Sequence, residues 1–409
     1  MVIYMRPSIS FIHAADLHLD SPFKGLTDLP ADIFKDVRES TFRALDQLVH
    51  TAITKQVDFI LLVGDLFDNE KQSLKAQVEL RGAFQTLQHH QIDVFLSYGN
   101  HDFVLGNQYQ FTFPENVHIF PSERVTHFIY ERNAEKLAAI YGFSYHQRAV
   151  EQNKTSEYNI VSKQIPFHIA TLHGSLNGNQ EHDPYAPFTL QQLEERNFDY
   201  WALGHIHQRA VLAENPPIIY PGNMQGRHRK ETGEKGCYYV EMTATEPHYE
   251  FISLESIQFS ECCLDVSECS TVDQLEEILF TLHEQTNDKK LIHLTLYSKE
   301  SQLHAFNEDG IIQELIDIVN ETMMDQTYWQ YIYTYRIETT EHKAITVEES
   351  FLHEINNALE EMDTTRILAD LYQHPGARKY LDEENTNTLK EAARQLLLYD
   401  LLQMEESDN

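Results

Sequence analysis

The stretch that decides the fold is Ile9-Ser-Phe-Ile-His-Ala-Ala-Asp16-Leu-His18, near the start of the chain. Its first six residues form a mostly apolar run, which ends directly in polar residues. Such a run is typical of a strand that is buried on both faces. Because Asp16 and His18 are two residues apart, an extended chain would direct both toward one side. The stretch therefore predicts a buried strand whose carboxyl end carries two potential metal ligands.

The same arrangement recurs four times, with segments of helical periodicity in between. The later runs are Phe59–Val63 before Gly64-Asp65, Val94–Leu96 before Gly99-Asn100-His101-Asp102, Phe167–Leu172 before His173-Gly174, and Tyr200–Leu203 before Gly204-His205-Ile-His207. Apolar runs that alternate with helices indicate a layered α/β fold. Ligands of such sheets bind beyond the carboxyl ends of the strands, so we expect one shared site.

The polar residues at these strand ends offer carboxylate, carboxamide and imidazole donors. The candidate ligands are Asp16, His18, Asp65, Asn100, His173, His205 and His207. This mixture suits Mn²⁺, Fe²⁺ or Zn²⁺ better than an all-oxygen Mg²⁺ or Ca²⁺ site. The set is too large for one ion that keeps open positions, and two ions sharing a carboxylate form a clamp for displacement at phosphorus. Phosphoester hydrolysis is therefore the leading reaction class.

The five blocks resemble, in order and approximate spacing, those of the calcineurin-like metallophosphoesterases. Together with Tyr220-Pro-Gly-Asn223 they are similar to the SbcD-type DNA repair exonucleases, and most similar to their YhaO branch. The resemblance covers residues 9 to 250 well. It implies a sandwich of two β-sheets flanked by helices, two manganese ions and a homodimer.

The resemblance also implies a role for each site residue. One ion would be held by Asp16, His18, Asp65 and His207, and the other by Asp65, Asn100, His173 and His205. Asp65 would bridge the two ions. His101 would be catalytic, stabilising the transition state or protonating the leaving oxygen, while Asp102 beside it would orient its ring.

The net charge of −33, from 64 acidic and 31 basic residues, argues against a protein that coats DNA. Residues 251–409 contain 33 of the acidic residues and 10 of the basic ones, however, so most of the acidity is C-terminal. Near the site, Arg227, Arg229 and Lys230 are candidate DNA-binding residues. The alternative is a solvated loop in which Glu231 and Glu234 pair with these cations.

We predict three domains: a nuclease domain at 1–250, a small α+β capping domain at 251–340, and an acidic helical region at 341–409. Two apolar stripes mark the helical region, at Phe351, Leu352, Ile355 and Leu359 and at Leu389, Ala393, Leu396 and Leu397. On composition alone these stripes are typical of an intramolecular core. The resemblance implies instead that they bind the coiled-coil base of an SbcC-like SMC-type ATPase.

Cellular location is indicated by two features of the sequence. Four cysteines without paired spacing are typical of reduced thiols, and no stretch approaches 18 apolar residues. We therefore expect a cytoplasmic protein with no membrane association.

Three functions remain open. The leading one is a Mn²⁺-dependent DNA exonuclease or endonuclease that acts in DNA repair with the ATPase. The alternatives are a small-substrate metallophosphodiesterase or phosphatase, and a mainly architectural subunit of the ATPase complex.

Overall fold

The computed structural model describes residues 8–68, 72–104, 112–177, 185–243, 245–282, 288–298, 302–324 and 328–339, together with Lys390. The chain divides into two compact units, Met1–Glu338 and Thr339–Asn409. Apart from Lys390, which is helical, the predicted helical region at 341–409 and both of its apolar stripes lie outside the described residues.

Strands and helices alternate as predicted over residues 9–97, but the described residues between 97 and 167 form strands and no α-helix. The strands are β1 (Ile9–Ala14), β2 (Phe59–Val63), β3 (Asp93–Ser97), β4 (Val117–Ile119), β5 (Thr126–Arg132), β6 (Glu135–Gly142), β7 (Phe167–His173), β8 (Tyr200–Gly204), β9 (Ala210–Glu214), β10 (Pro217–Tyr220), β11 (Gly236–Met242), β12 (His248–Ser253), β13 (Ile257–Asp265), β14 (Lys289–Ser298) and β15 (Gln330–Thr339). The helices are α1 (Ala31–Lys55), α2 (Leu74–His89), α3 (Leu190–Glu194), α4 (Val272–Phe280), α5 (Gln302–Glu308) and α6 (Ile311–Met324).

Two six-stranded sheets form the body of the molecule. The first has the order β12-β11-β1-β2-β3-β4. Strands β1 to β4 are parallel to one another, β11 is antiparallel to β1, and β12 is antiparallel to β11. The second has the order β5-β6-β7-β8-β10-β9, with its four central strands parallel. The predicted α/β class and two-sheet sandwich flanked by helices are therefore confirmed.

The central strand β2 shows why its run is continuously apolar, since all five of its residues are buried. Phe59, Leu61 and Val63 pack into the core between the two sheets. Ile60 and Leu62 point the other way and pack with buried residues of α1 and α2. A strand with one face on a second sheet and the other on helices has no solvated side, so no polar alternation remains.

A third, smaller sheet with the order β13-β14-β15 shares a core with α4 and α6. Phe259 of β13 and Trp329, directly before β15, also pack with Ile33 and Val37 of α1. Strand β12 belongs to the first sheet and crosses the predicted boundary at residue 250, so the division into three domains stays a prediction. Among the helices of the described residues, none has the length and apolar character needed to cross a bilayer.

Candidate metal centre

The carboxyl ends of five strands from the two sheets meet at one site. Two groups of side chains form there, one of Asp16, His18 and His207 and one of Asp65, His173 and His205, and within each group the potential ligand atoms lie within 4.8 Å of one another. Asn100 joins the second group through a 2.9 Å contact between its Oδ1 and Nε2 of His173. The structure thus brings together all the ligands predicted from the sequence.

Four of these residues have strained backbones. Asp16, His18, Asp65 and His205 have φ angles of 52°, 43°, 49° and 98°, in the region that favours glycine. Hydrogen bonds between adjacent strand ends restrain two of them: Asp16 N donates to Gly64 O at 3.2 Å, and His18 N donates to Asp65 O at 3.0 Å. Strain of this kind persists only where the surroundings enforce it, and it concentrates at functional sites.

Glycines let the strand ends approach each other closely. A Cβ atom on Gly64, which has a φ of 77°, would lie 2.2 Å from Nδ1 of His173. On Gly204 it would lie 2.1 Å from the main-chain oxygen of Val63. Both distances are shorter than any van der Waals contact, so these two positions require glycine for the imidazoles to reach the carboxylates.

The first group has the geometry of a cation site. Nε2 of His18 lies 3.0 Å from Nε2 of His207. Two nitrogen ligands at right angles, each about 2.1 Å from one ion, are separated by about 3 Å. Burial is the largest effect and lowers the pKa of both rings, and the Arg227 cation lowers both pKa values further. Both rings are therefore neutral near pH 7, and a divalent cation bound to both Nε2 atoms would replace the hydrogen bond between them.

Asp65 lies between the two groups. Its Oδ2 is 3.9 Å from Nε2 of His18 in the first group and 3.5 Å from Nε2 of His173 in the second. The carboxylate is 1% exposed, as expected for a side chain at the centre of a site. Its position fits a ligand shared by two ions.

The buried carboxylates and imidazoles shift one another's pKa values. Burial raises the pKa of Asp16 to about 8, although the His173 charge opposes this. Burial would also raise the pKa of Asp65, but the charge and hydrogen bond of His173 outweigh it and hold this pKa well below its usual range. For His173 itself, the Asp65 charge overcomes the effect of burial and raises the pKa to about 9. The cluster retains protons that a divalent cation would displace.

The structure places His101 at the site but corrects the role predicted for Asp102. Nδ1 of His101 lies 2.8 Å from the main-chain oxygen of Asp68, which orients the ring. Asp102 is buried and accepts hydrogen bonds from the main-chain N–H groups of Leu66 (2.6 Å) and Gly99 (2.7 Å). Its carboxylate is committed to those two groups, and it fixes the loops rather than the His101 ring.

The three cations predicted to bind DNA differ in their surroundings. Arg227 is only 15% exposed and forms an ion pair with Asp68, next to the first ligand group. Arg229 and Lys230 are exposed. Arg227 is thus part of the site itself, and only Arg229 and Lys230 have the exposure expected of a contact with a DNA backbone.

Sequence reasoning missed the position of Glu231, which it considered only as a possible ion-pair partner of Arg227, Arg229 and Lys230 in a solvated loop. The side chain is 7% exposed, and its Oε1 lies 2.6 Å from Nδ1 of His207. Burial would raise the pKa of Glu231, but the His207 hydrogen bond outweighs it and lowers this pKa. The position of Glu231 shortly after Pro221-Gly-Asn223 could not have identified it, since nothing in the sequence distinguishes it from the exposed Glu234.

Comparison with known proteins agrees with this geometry. Residues 9–209 match the family model described as calcineurin-like phosphoesterase. A Bacillus subtilis protein named uncharacterized metallophosphoesterase YhaO is 38% identical over 402 residues, which cover 96% of this chain and 98% of that protein. A DNA double-strand break repair protein Mre11 from Methanocaldococcus jannaschii is 27% identical over 268 residues, 61% of this chain and 68% of that protein.

A solved dimetal phosphatase from Danio rerio aligns with a TM-score of 0.32 and 13% identity, over 59% of this chain and 98% of that one. The sequence matches carry the assignment: one relative is more than a third identical along almost the whole of both chains, and the residues that match the family model include all seven candidate ligands. The chain belongs to the calcineurin-like metallophosphoesterase family.

Proposed function

We propose that the protein is a DNA nuclease that hydrolyses phosphodiester bonds with two divalent metal ions. The observation that carries the proposal is the position of Asp65 between the two ligand groups, because a shared carboxylate is what a two-ion clamp on a phosphate needs. DNA as the substrate is supported by the relatives named DNA double-strand break repair protein.

The donor set suits Mn²⁺, Fe²⁺ or Zn²⁺, and the family resemblance favours Mn²⁺ among them. One ion would be held by Asp16, His18, Asp65 and His207, and the other by Asp65, Asn100, His173 and His205. Ions bound there would polarise the phosphoryl group and make a bound water easier to deprotonate. The protein's own contribution is a set of imidazoles and buried carboxyl groups held in fixed positions before substrate arrives.

His101 is the residue we propose to act directly on the substrate. Because Nδ1 is engaged with the main-chain oxygen of Asp68, Nε2 remains as the nitrogen that can contact a phosphate oxygen or donate a proton to the leaving oxygen. The His101 ring lies 5.1 Å from the His18 ring, centroid to centroid, and is partly exposed. It can therefore contact a substrate without replacing a ligand.

The substrate class can be tested with the full chain and Mn²⁺. Turnover of a chromogenic phosphodiester is compared with cleavage of labelled double-stranded and single-stranded DNA, in each case with and without EDTA. Our proposal requires EDTA-sensitive DNA cleavage that is more efficient, by kcat/KM, than turnover of the small substrate. Efficient turnover of the small phosphodiester with intact DNA would favour a small-substrate phosphodiesterase.

We further propose that residues 341–409 bind an SbcC-like SMC-type ATPase, that the protein is a homodimer and that it works in the cytoplasm. The cytoplasm is consistent with the four cysteines, which are all unpaired.

Co-purification with the ATPase, using the full chain and one that ends at Glu338, tests the partner. We expect binding by the full chain alone. Loss of function in cells on truncation but not in His101→Gln would support an architectural subunit.

A further inference from the structure

His207 is a candidate ligand whose ring needs support from neighbouring groups. It follows β8 on a loop, and its side chain is 24% exposed, whereas that of His18 in the same group is fully buried. Nε2 faces the site, 3.0 Å from Nε2 of His18. An imidazole can bind a metal through Nε2 only if its proton is on Nδ1, so something must select that tautomer.

The contact with Glu231 can select it. At 2.6 Å, Oε1 of Glu231 and Nδ1 of His207 must have a proton between them, and a carboxylate has none to give near pH 7. Nη2 of Arg227 also approaches Nδ1, at 3.2 Å. Nδ1 cannot donate to Glu231 and accept from Arg227 at once, and the shorter, charge-assisted contact prevails. Nδ1–H therefore donates to Glu231, and the lone pair of Nε2 faces the site.

Glu231 is itself held in place. Its Oε2 accepts hydrogen bonds from Nδ2 of the fully buried Asn223 at 2.9 Å and from the main-chain N–H of Arg227 at 2.7 Å. Lys235, four residues after Glu231, also holds the main chain of His207, because its Nζ donates to the His207 carbonyl oxygen at 3.1 Å. Residues 223–235 thus restrain both the ring and the backbone of one ligand.

We propose that Glu231 is a positioning residue, which fixes His207 in the tautomer and orientation that a divalent cation needs. The inference rests on the proposed metal-dependent function, since it concerns one ligand of that site. Carboxylates that accept from ligating histidines raise the basicity of the ring, and their loss weakens metal affinity by about 10- to 100-fold. A role limited to anchoring the loop would leave metal affinity unchanged once the chain is folded.

The variant Glu231→Gln tests this role with little change in shape. Mn²⁺ binding to the full chain is measured by titration calorimetry, and folding is monitored by circular dichroism. We expect one of two Mn²⁺ ions to bind about 10- to 100-fold more weakly while the other is little affected. The control is Glu234→Gln, on the same segment as Glu231. It neutralises a 58% exposed carboxylate that pairs with Arg209, and it should leave the affinities of both ions unchanged.

A second measurement needs no substitution at Glu231. In ¹⁵N-histidine spectra of the metal-free chain, the His207 signal is identified by its loss in His207→Gln. We expect the proton on Nδ1, and a proton on Nε2 would overturn the proposal even if Glu231→Gln did not fold. Equal Mn²⁺ affinities in the wild type and His207→Gln would contradict the proposed metal site. If His207→Gln binds Mn²⁺ more weakly but Glu231→Gln binds it as the wild type does, the positioning role of Glu231 is contradicted and the metal site is not.

Discussion

The main-chain N–H of His101 donates a 3.0 Å hydrogen bond to Oδ1 of Asp65. The carboxylate proposed to bridge the ions therefore also holds the loop that carries the proposed catalytic histidine. Its other oxygen, Oδ2, faces His18 and His173. Ligand geometry and catalytic geometry are coupled through one buried side chain.

Substitution of His101 should separate catalysis from metal binding. We expect His101→Gln to lower kcat for DNA cleavage by about 10²- to 10⁴-fold, the range for removal of a general acid, with Mn²⁺ affinity unchanged. Steady-state kinetics and titration calorimetry measure the two effects. His90→Gln, at an exposed histidine after α2, serves as the control. Weakened Mn²⁺ binding in His101→Gln would mean that His101 is a ligand.

The close approach at Gly64 predicts a large loss of stability on substitution. Gly64→Ala combines a left-handed backbone with a clash against the His173 ring, so it should lower the free energy of unfolding by about 2 to 5 kcal/mol. In Gly82→Ala, within α2, the new methyl group would have nothing within 4 Å. That control should stabilise the chain by about 0.5 to 1 kcal/mol. Urea unfolding compares the two, and equal midpoints would contradict the geometry.

The effect of pH on stability has a defined sign. Burial raises the pKa of Asp16 to about 8, and the Asp65 charge raises that of His173 to about 9 against the effect of burial. Between pH 6.5 and 8.5 the folded, metal-free chain therefore keeps protons that the unfolded chain has released. These two groups make the free energy of unfolding fall as the pH rises.

Mn²⁺ displaces the same protons, so its stabilising effect should grow over this pH range. Melting temperatures in EDTA and in Mn²⁺ at pH 6.5, 7.5 and 8.5 test both statements. We expect the difference between the two conditions to widen with pH. A melting temperature in EDTA that increases toward pH 8.5 would show that these groups do not control stability.

The exposed cations after the site should contribute to DNA affinity but not to chemistry. In Arg229→Ala/Lys230→Ala we expect weaker DNA binding, with the slope of log K against log salt reduced by about 2 and kcat at saturating DNA unchanged. The control is the double variant Lys136→Ala/Lys163→Ala. These two exposed lysines lie near the amino ends of β6 and β7, at the edge of the second sheet opposite the site. Fluorescence anisotropy at several salt concentrations measures the slope, and equal slopes in both double variants would contradict this role.

The sequence predicted that the candidate ligands converge, because these residues directly follow apolar runs. The ends of β1, β2, β3, β7 and β8 were predicted, and their side chains converge. The hairpin formed by β5 and β6 was missed. Its turn residues, Asn133 and Ala134, have φ angles of 56° and 62°, and an alanine gives no sign of such a turn.

Side-chain partners were predicted less well than strand ends. The family resemblance implied that Asp102, next to His101 in the chain, would orient the His101 ring. The orienting group is the main-chain oxygen of Asp68, which no side-chain pattern reveals. Glu231 lies 24 residues from His207 in the chain, and only the folded segment brings the two together. Contacts that depend on loop conformation cannot be read from spacing.

The central claim, that Asp65 holds metal for phosphodiester hydrolysis, is tested most directly by Asp65→Asn. Asparagine keeps an oxygen for the N–H of His101 but removes the charge shared by the two ion sites. Cleavage of end-labelled double-stranded DNA is measured with Mn²⁺, with and without the ATPase, in the wild type and in the folded variant. We predict EDTA-sensitive cleavage by the wild type and a rate at least about 100-fold lower in Asp65→Asn. Equal rates in the two proteins, or no cleavage by the wild type in either condition, would contradict the claim.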